Sequence, residues 1–281
     1  KDEGFVHRVN LTYKPNNDML FYATSSRGFR PGGINRRGIL PPYAADVLDN
    51  IELGTKISFG SGSHFNMAVY QEDWKNIQLS FLGLNGLTEI RNAGNARIRG
   101  FEADLLLRPL PGLSWSTGVS YNNAKITKDF CLIANKQFDC SIGADNELLA
   151  PSGTRLPLTA RWKGNTRARY EWNIGAMRAN VQANVTYEGR RSRDLRLAIN
   201  DLYGDMKAYT LVDASTGLES GPWHAELYVK NLFDARAQQT KGIQCVETTC
   251  GDPGGLTAIG GKIYTSYSRP RTIGLRIGRK F

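Results

Sequence analysis

The sequence lacks any run approaching the roughly 18 consecutive apolar residues that a membrane-spanning helix needs. Any passage through a bilayer would therefore have to be made by β-strands. Helical periodicity is nearly absent, which leaves the strand as the repeating element. Histidine is scarce: His7, His64 and His224 fall on separate segments, so neither a metal cage nor a Ser-His-Asp arrangement is drawn together, and no cofactor or metal is expected. Cysteine is limited to two close pairs, Cys131 with Cys140 and Cys245 with Cys250, neither with the CxxC spacing of zinc and redox sites. Local disulfides in an oxidising compartment fit this pattern better. The chain opens on lysine with no basic, apolar and small-residue leader, so it is expected to be truncated at its front.

What is present is period-two alternation in segment after segment. In 177 to 187, Met177, Ala179, Val181, Ala183, Val185 and Tyr187 share one face, while Arg178, Asn180, Gln182, Asn184 and Thr186 share the other. One face suits lipid and the other water, so a mean hydropathy of -0.39 is compatible with a transmembrane barrel. The preceding segment sets Ala160, Trp162, Thr166, Ala168, Tyr170 and Trp172 against Arg161, Lys163, Asn165, Arg167, Arg169 and Glu171, with its aromatics near the two ends, as interfacial girdles require.

About eleven strands are expected, near 5–13, 18–28, 47–59, 64–80, 95–108, 112–126, 158–171, 175–190, 207–219, 221–234 and 262–281. Their connections alternate strictly between short and long. The short ones are KPNN at 14–17, GSGS at 60–63, LPG at 110–112, WNIG at 172–175 and SGP at 220–222; the long ones lie near 29–46, 81–94, 127–157, 191–206 and 235–261. This is the plan of an all-β, antiparallel transmembrane meander barrel with tight periplasmic turns and long extracellular loops. Both cysteine pairs fall in long loops, where disulfides would staple segments expected to have no core of their own. An odd strand count predicts that further strands complete the barrel, since an open sheet leaves two edges unpaired in hydrocarbon.

Several phrases resemble the barrel of TonB-dependent outer-membrane receptors of the iron-complex class: YATSSRGFRPGGINR at 22–36, YQEDWKNIQL at 70–79, NAGNARIRGFEADLLLRPLPGLSW at 92–115, YTLVDASTGLE at 209–219, YVKNLFD at 228–234 and the RPRTIGLRIGRKF ending. The resemblance implies that residues 1–281 are the C-terminal half of a plugged barrel of about 22 strands, with the plug domain, the TonB box and the N-terminal strands absent. It implies a multi-pass receptor of the Gram-negative outer membrane. That receptor would import a ferric siderophore or related chelate, with cobalamin and oligosaccharides behind it, through the TonB complex. Phe281 resembles the terminal signal of barrel assembly.

For such a protein the work is binding and gating rather than bond making, and no enzyme activity is expected. The segment RGFRPGGINRRGILPPY at 27–43 carries Arg27, Arg30, Arg36, Arg37 and Tyr43 to the extracellular mouth, where guanidinium groups would bind an anionic chelate or grip lipopolysaccharide phosphates. A second basic set, Arg161, Lys163, Arg167, Arg169 and Arg178, is expected in the lumen. It would guide an anionic solute or pair with the plug and with lumenal acids such as Glu102, Asp104, Glu171 and Glu226. The glycine-rich run at 251–261 lacks the strand and lysine context of a phosphate loop. The formal charge of +10 does not point to nucleic acid, because the basic residues alternate with lipid-type residues. A passive porin or structural barrel, an outer-membrane protease or lipase, and a soluble all-β binding domain are the competing readings.

Overall fold

A strand with one apolar and one polar face satisfies its backbone only by pairing along its edges. The computed structural model describes residues 4–36, 41–60, 62–82, 88–132, 134–135, 139–141, 146–243 and 263–280. Its elements in chain order are β1 (His7–Asn16), β2 (Met19–Arg30), β3 (Asp46–Phe59), β4 (Ser63–Lys75), β5 (Gln78–Leu82), β6 (Thr88–Asn92), β7 (Ala96–Leu107), β8 (Leu113–Ile126), β9 (Phe130–Cys131), β10 (Leu148–Ala150), β11 (Trp162–Ile174), β12 (Met177–Glu188), α1 (Leu197–Tyr203), β13 (Tyr209–Ser220), β14 (Trp223–Lys230), β15 (Gln238–Ile243), β16 (Ile263–Tyr267) and β17 (Thr272–Arg279). Eleven of these form one antiparallel sheet in the order β1-β2-β3-β4-β7-β8-β11-β12-β13-β14-β17. The remaining six pair two by two within the long connections.

The eleven barrel strands are those the alternation predicts, and the differences at their ends have local causes. The strand expected over 64–80 stops at Lys75 because Asn76 takes a φ of 55° and turns the chain, so Gln78 onward enters a separate hairpin. The strand expected over 221–234 stops at Lys230, where Asn231 has a φ of 51°. Asn231 then knits the base of that connection, donating to the Ala235 and Arg269 carbonyls at 3.0 and 2.9 Å and accepting from the Ala235 N–H at 2.8 Å. The strand expected over 262–281 is two, β16 and β17, with Pro270 between them lacking the donor that a continuous ladder needs. The tight turns hold register directly, as where Ile174 faces Met177 across a two-residue loop whose Gly175 has a φ of 59°.

Register continues the two faces across the sheet. One row runs Leu113, Tyr170, Val181, Thr216, Leu227, Leu275 and the next Trp115, Ala168, Ala183, Ala214, Val229, Ile273. The large members of this face are exposed, Leu275 at 64% and Ile273 at 70%, which is the placement of the apolar outward band of a transmembrane barrel. The opposite face is polar. Arg8, Asn10, Thr12, Tyr22, Thr24, Asn50, Glu52 and Lys56 line one depression of ≈ 590 Å³ on it. On this inner face Tyr22 lies over Gly54, Tyr70 over Gly100 and Tyr228 over Gly274, each ring filling the space a glycine leaves.

Two aromatic clusters mark the depth of the apolar band. Phe101, Tyr121 and Trp162 contact one another near the long-loop end, with centroids 4.9–6.0 Å apart, and Tyr170 stacks on Trp172 at 5.4 Å near the tight turns. Trp162 and Trp172 are separated by ten steps of β11, about 33 Å along the strand at roughly 3.3 Å per residue. Tilted by about 40°, that rise matches a band about 25 Å tall.

The buried apolar core sits at the long-loop end. Ile77, Phe81, Ala93, Phe130, Ala150, Leu156 and Leu195 of the connections pack on Ala96, Ile98, Ala124 and Ile126, which face inward. The expectation that the long loops lack a core of their own is therefore corrected. Alternation, which reveals strand faces, carries no information on loops that fold back over the inner wall.

Candidate functional site at the long-loop mouth

The mouth is built where β2 and β3 emerge. Arg30 and Asp46 are register partners, and Asp46 is 2% exposed. Its carboxylate accepts from Arg30 Nε at 3.0 Å, from Trp74 Nε1 at 3.0 Å and from the Gln78 backbone N–H at 3.2 Å. Arg30 also donates to the Gln78 carbonyl at 3.2 Å, and its guanidinium lies 5.2 Å from the Trp74 ring centroid. One buried carboxylate thus ties two strand ends to the β5–β6 hairpin.

Asparagines do the same for the loop between β2 and β3. Asn35 donates to the Ile90 carbonyl at 3.0 Å and accepts from its N–H at 2.8 Å, while Asn92 brackets Ala44 in the same way at 3.0 and 2.8 Å. Tyr43 closes the loop on itself by bridging Gly33, with both backbone bonds at 2.9 Å. A side-chain amide matches both groups of a peptide, so each asparagine removes two orphaned backbone groups at once.

The opposite side of the mouth is held by arginines. Arg191, with its side chain 5% exposed, pairs with Glu188 at 3.2 Å and donates to the Gln238 and Gln239 carbonyls at 3.1 Å. Lys241 donates to the carbonyls of Tyr203, Gly204 and Asp205 at 3.0–3.3 Å, anchoring the C-terminal end of α1. Beside them a pocket of ≈ 300 Å³ is lined by Arg155, Arg190, Ser192, Asp194 and Asn200, among others. Arg190 there is paired to Asp205 at 2.6 Å. Arg155 has a buried Nη2 with no hydrogen-bond partner, and burial together with the nearby charge of Arg161 pushes its pKa down from the ordinary arginine value.

The residues singled out from sequence separate into several places. Arg27 and Arg30 lie in β2 rather than in a loop, and they face opposite ways: Arg30 inward, Arg27 outward in an ion pair with Asp49 at 2.5 Å. Arg36 is exposed and Tyr43 half-buried in the mouth loop, while Arg37 lies outside the described residues. On the inner wall Lys163 pairs with Glu188 at 3.1 Å, Arg169 with Glu171 at 2.7 Å, and Arg167 donates to Gln182. Arg178 is exposed opposite Glu219, and Arg161 precedes β11 at the rim. Of the inward acids, Glu226 pairs with Arg276 at 2.7 Å and Asp104 accepts from Asn66 at 2.8 Å.

Cys131 and Cys140 form a disulfide, whereas Cys245, Cys250 and Phe281 lie outside the described residues, as does the glycine-rich run at 251–261. No group of three or more His, Cys, Asp or Glu side chains able to hold a metal occurs among the described residues. Sequence reasoning missed Asp46, Trp74, Gln78, Asn35 and Asn92, the residues that build the mouth. Four of the five stand in the quoted phrases, Asn35 in 22–36, Trp74 and Gln78 in 70–79 and Asn92 at the start of 92–115, but nothing in those phrases marks them as ties of the mouth.

A polar inner wall, an exposed apolar outer band between two aromatic girdles and a sorted set of turns and loops are the features of the wall of a transmembrane β-barrel. The model of the TonB dependent receptor-like beta-barrel matches residues 1–232, and the chain belongs to that family. The pesticin receptor of Yersinia enterocolitica is 23% identical over 245 residues, covering 84% of this chain and 32% of that protein. The ferric yersiniabactin uptake receptor FyuA from Yersinia pestis superposes with a TM-score of 0.71 at 20% identity over 97% of this chain and 36% of that one. The siderophore receptor PiuA from Acinetobacter baumannii does so with a TM-score of 0.69 at 16% identity, over 97% and 35%. The chain spans about a third of the length of these relatives.

Proposed function

We propose that this chain is the C-terminal part of an outer-membrane receptor that imports a ferric siderophore or a related iron chelate by TonB-coupled active transport. The observation that carries the reading is the built mouth. The long connections pack a common apolar core on the inward side of β7 and β8 and are cross-tied through Asp46, Asn35, Asn92 and Arg191, which suits a surface that must recognise a solute rather than admit any. The relatives that bear siderophore names support the cargo class. In this reading β1 and β17, each paired on one side only among the described residues, join further strands of the same receptor, and a plug fills the polar lumen. TonB acts on that plug, and the protein resides in the outer membrane of a Gram-negative cell. Arg30, Arg36 and Tyr43 lie on the solute side of the mouth.

The test uses the complete parent gene. Uptake of labelled ferric siderophores and cobalamin is compared in a deletion strain with and without the gene, before and after the proton motive force is collapsed. Gene-dependent uptake of one ferric chelate that stops on de-energising is expected. Uptake that survives de-energising would make the protein a passive pore and overturn the mechanism.

A further inference from the structure

Below the ties of the mouth, the inner wall of β1, β2 and β3 carries the depression of ≈ 590 Å³, larger than the pockets of ≈ 300 and ≈ 240 Å³ at the long-loop and tight-turn ends. It begins at Ser26 and Asn50, four residues along their strands from Arg30 and Asp46. From there it runs six residues further, to Leu20 and Lys56, about 20 Å at roughly 3.3 Å per residue. Leu20 is the one aliphatic side chain among the residues that line it. The trough is therefore polar along its length, and no tie of the mouth uses it.

A cation stands at each end of it. Arg8 is level with Ser26 and Asn50, and Lys56 is level with Leu20. Neither forms an ion pair or a hydrogen bond among the described residues. Between them lie unfilled acceptors. Asn50 Oδ1 is buried without a hydrogen-bond partner, and Glu52 takes the Tyr22 hydroxyl at 2.7 Å on one oxygen, leaving the other open. Asn10 is already engaged, donating to Thr24 Oγ1 at 2.6 Å and accepting from the Thr12 hydroxyl at 2.7 Å. Glu72 and Glu102 stand one and two strands beyond β3 and extend the acceptor side of the trough, not its ends. A buried acceptor costs stability until a donor reaches it, and guanidinium and ammonium groups bind carboxylates through charge-assisted hydrogen bonds. A solute that brings carboxylates and an O–H or N–H donor answers both needs, whereas a chelate without carboxylates leaves Arg8 and Lys56 unanswered.

We propose that this trough is a second station for the solute, beneath the mouth, and that it selects a ferric chelate bearing free carboxylates and amide or hydroxyl donors. A carboxylate meets Arg8 first and Lys56 next, while a donor reaches Asn50 or Glu52 between them. The proposal rests on the reading of the chain as an importer of an iron chelate and names the chemical class of that chelate.

Cells carrying the full-length parent receptor are given radioactive iron either as bis-citryl putrescine, which bears free carboxylates and amide N–H groups, or as a trihydroxamate with no carboxylate. Binding to de-energised cells and initial uptake by energised cells are measured separately. Wild type should import the citryl chelate in preference to the trihydroxamate. Arg8→Gln and Lys56→Gln should each lower its maximal uptake rate by about tenfold, the low end for a charge-assisted hydrogen bond, with the half-saturating concentration and the surface binding unchanged. Arg8→Lys and Lys56→Arg should restore most of the rate. Arg276→Gln, inward on β17 and paired with Glu226, should change little. Import of the trihydroxamate as readily as the citryl chelate, or of neither, overturns the proposal, and this arm stands even where a variant fails to fold. So does an equal loss in Arg276→Gln, or a loss of surface binding in step with uptake, which would place Arg8 and Lys56 in recognition or assembly. The two readings fail separately. Trihydroxamate import that stops on de-energising sinks the station and keeps the active importer, whereas citryl uptake that survives de-energising yet still depends on Arg8 and Lys56 sinks active transport and keeps the station.

Discussion

Replacing Asp46 by alanine tests whether one buried carboxylate organises the receptor mouth. The change removes the acceptor of two neutral, part-buried donors, the Trp74 indole N–H at 3.0 Å and the Gln78 amide at 3.2 Å. Each orphaned donor costs about 1–3 kcal/mol. Arg30 adds little, because its side chain is 52% exposed and can rehydrate once released, so its share is about 1 kcal/mol or less. Because both donors are only part-buried, each sits near the low end of that range and the sum is about 3 kcal/mol; it falls on the attachment of β5–β6 to the ends of β2 and β3, not on the lipid-facing sheet. Amide hydrogen exchange in the full-length receptor should therefore accelerate by roughly a hundredfold across Gln78–Leu82 and Thr88–Asn92. Exchange in β12 and β13 should stay as it was. Arg30→Ala should accelerate the same amides by roughly tenfold or less. If Asp46→Ala leaves the hairpin unchanged, or if Arg30→Ala matches it, the carboxylate is not the organising group and the ledger above is wrong.

Neighbouring positions of β12 should respond oppositely to the same substitution. Ala183→Arg, facing outward at mid-depth, should cost about 2–4 kcal/mol in denaturant unfolding of the bilayer-inserted receptor, and Asn184→Arg, facing the lumen, well under 1 kcal/mol. Gly54→Ala should drive the Tyr22 ring off Glu52, to which its hydroxyl donates at 2.7 Å, and destabilise by about 1–3 kcal/mol. Combining it with Tyr22→Ala should cost less than the sum of the two singles in the same unfolding assay, because the ring that collides is gone. Cys131→Ser should remove about 2.5 kcal/mol of loop-closure stabilisation for a separation of 9 residues, seen as faster proteolysis within 127–157 with the melting of the whole barrel unaltered.

Strand identity was legible because period-two alternation is written in each barrel strand, and in Met177–Glu188 it predicts the observed face of each residue. Loop structure was not legible, for the same reason. Ile77, Phe81, Phe130 and Leu195 are single apolar residues in polar surroundings, and nothing in their spacing says that they meet on Ile98 and Ile126. The ties of the mouth are equally silent in sequence. Asn35 reaches Ile90 across 55 residues and Asn92 reaches Ala44 across 48, contacts that exist only once β2, β3 and β4 have paired. The seven-residue helix α1 carries too short a period to stand out from the alternation around it.

Arg27 and Arg30 show why parity matters more than composition at such a rim. Read along the chain they belong to one basic cluster, and either could be assigned to a passing anion. A separation of three residues on a strand puts them on opposite faces, and the sheet is a wall between two solvents. Arg30 then joins Asp46 and Trp74 on the solute side, whereas Arg27 joins Asp49, Lys75 and Arg97 on the lipid side. The same guanidinium chemistry thus ties strand ends and the β5–β6 hairpin together on one face and pairs neighbouring strands on the other. The net charge of such a barrel is therefore two separate quantities, one for each face.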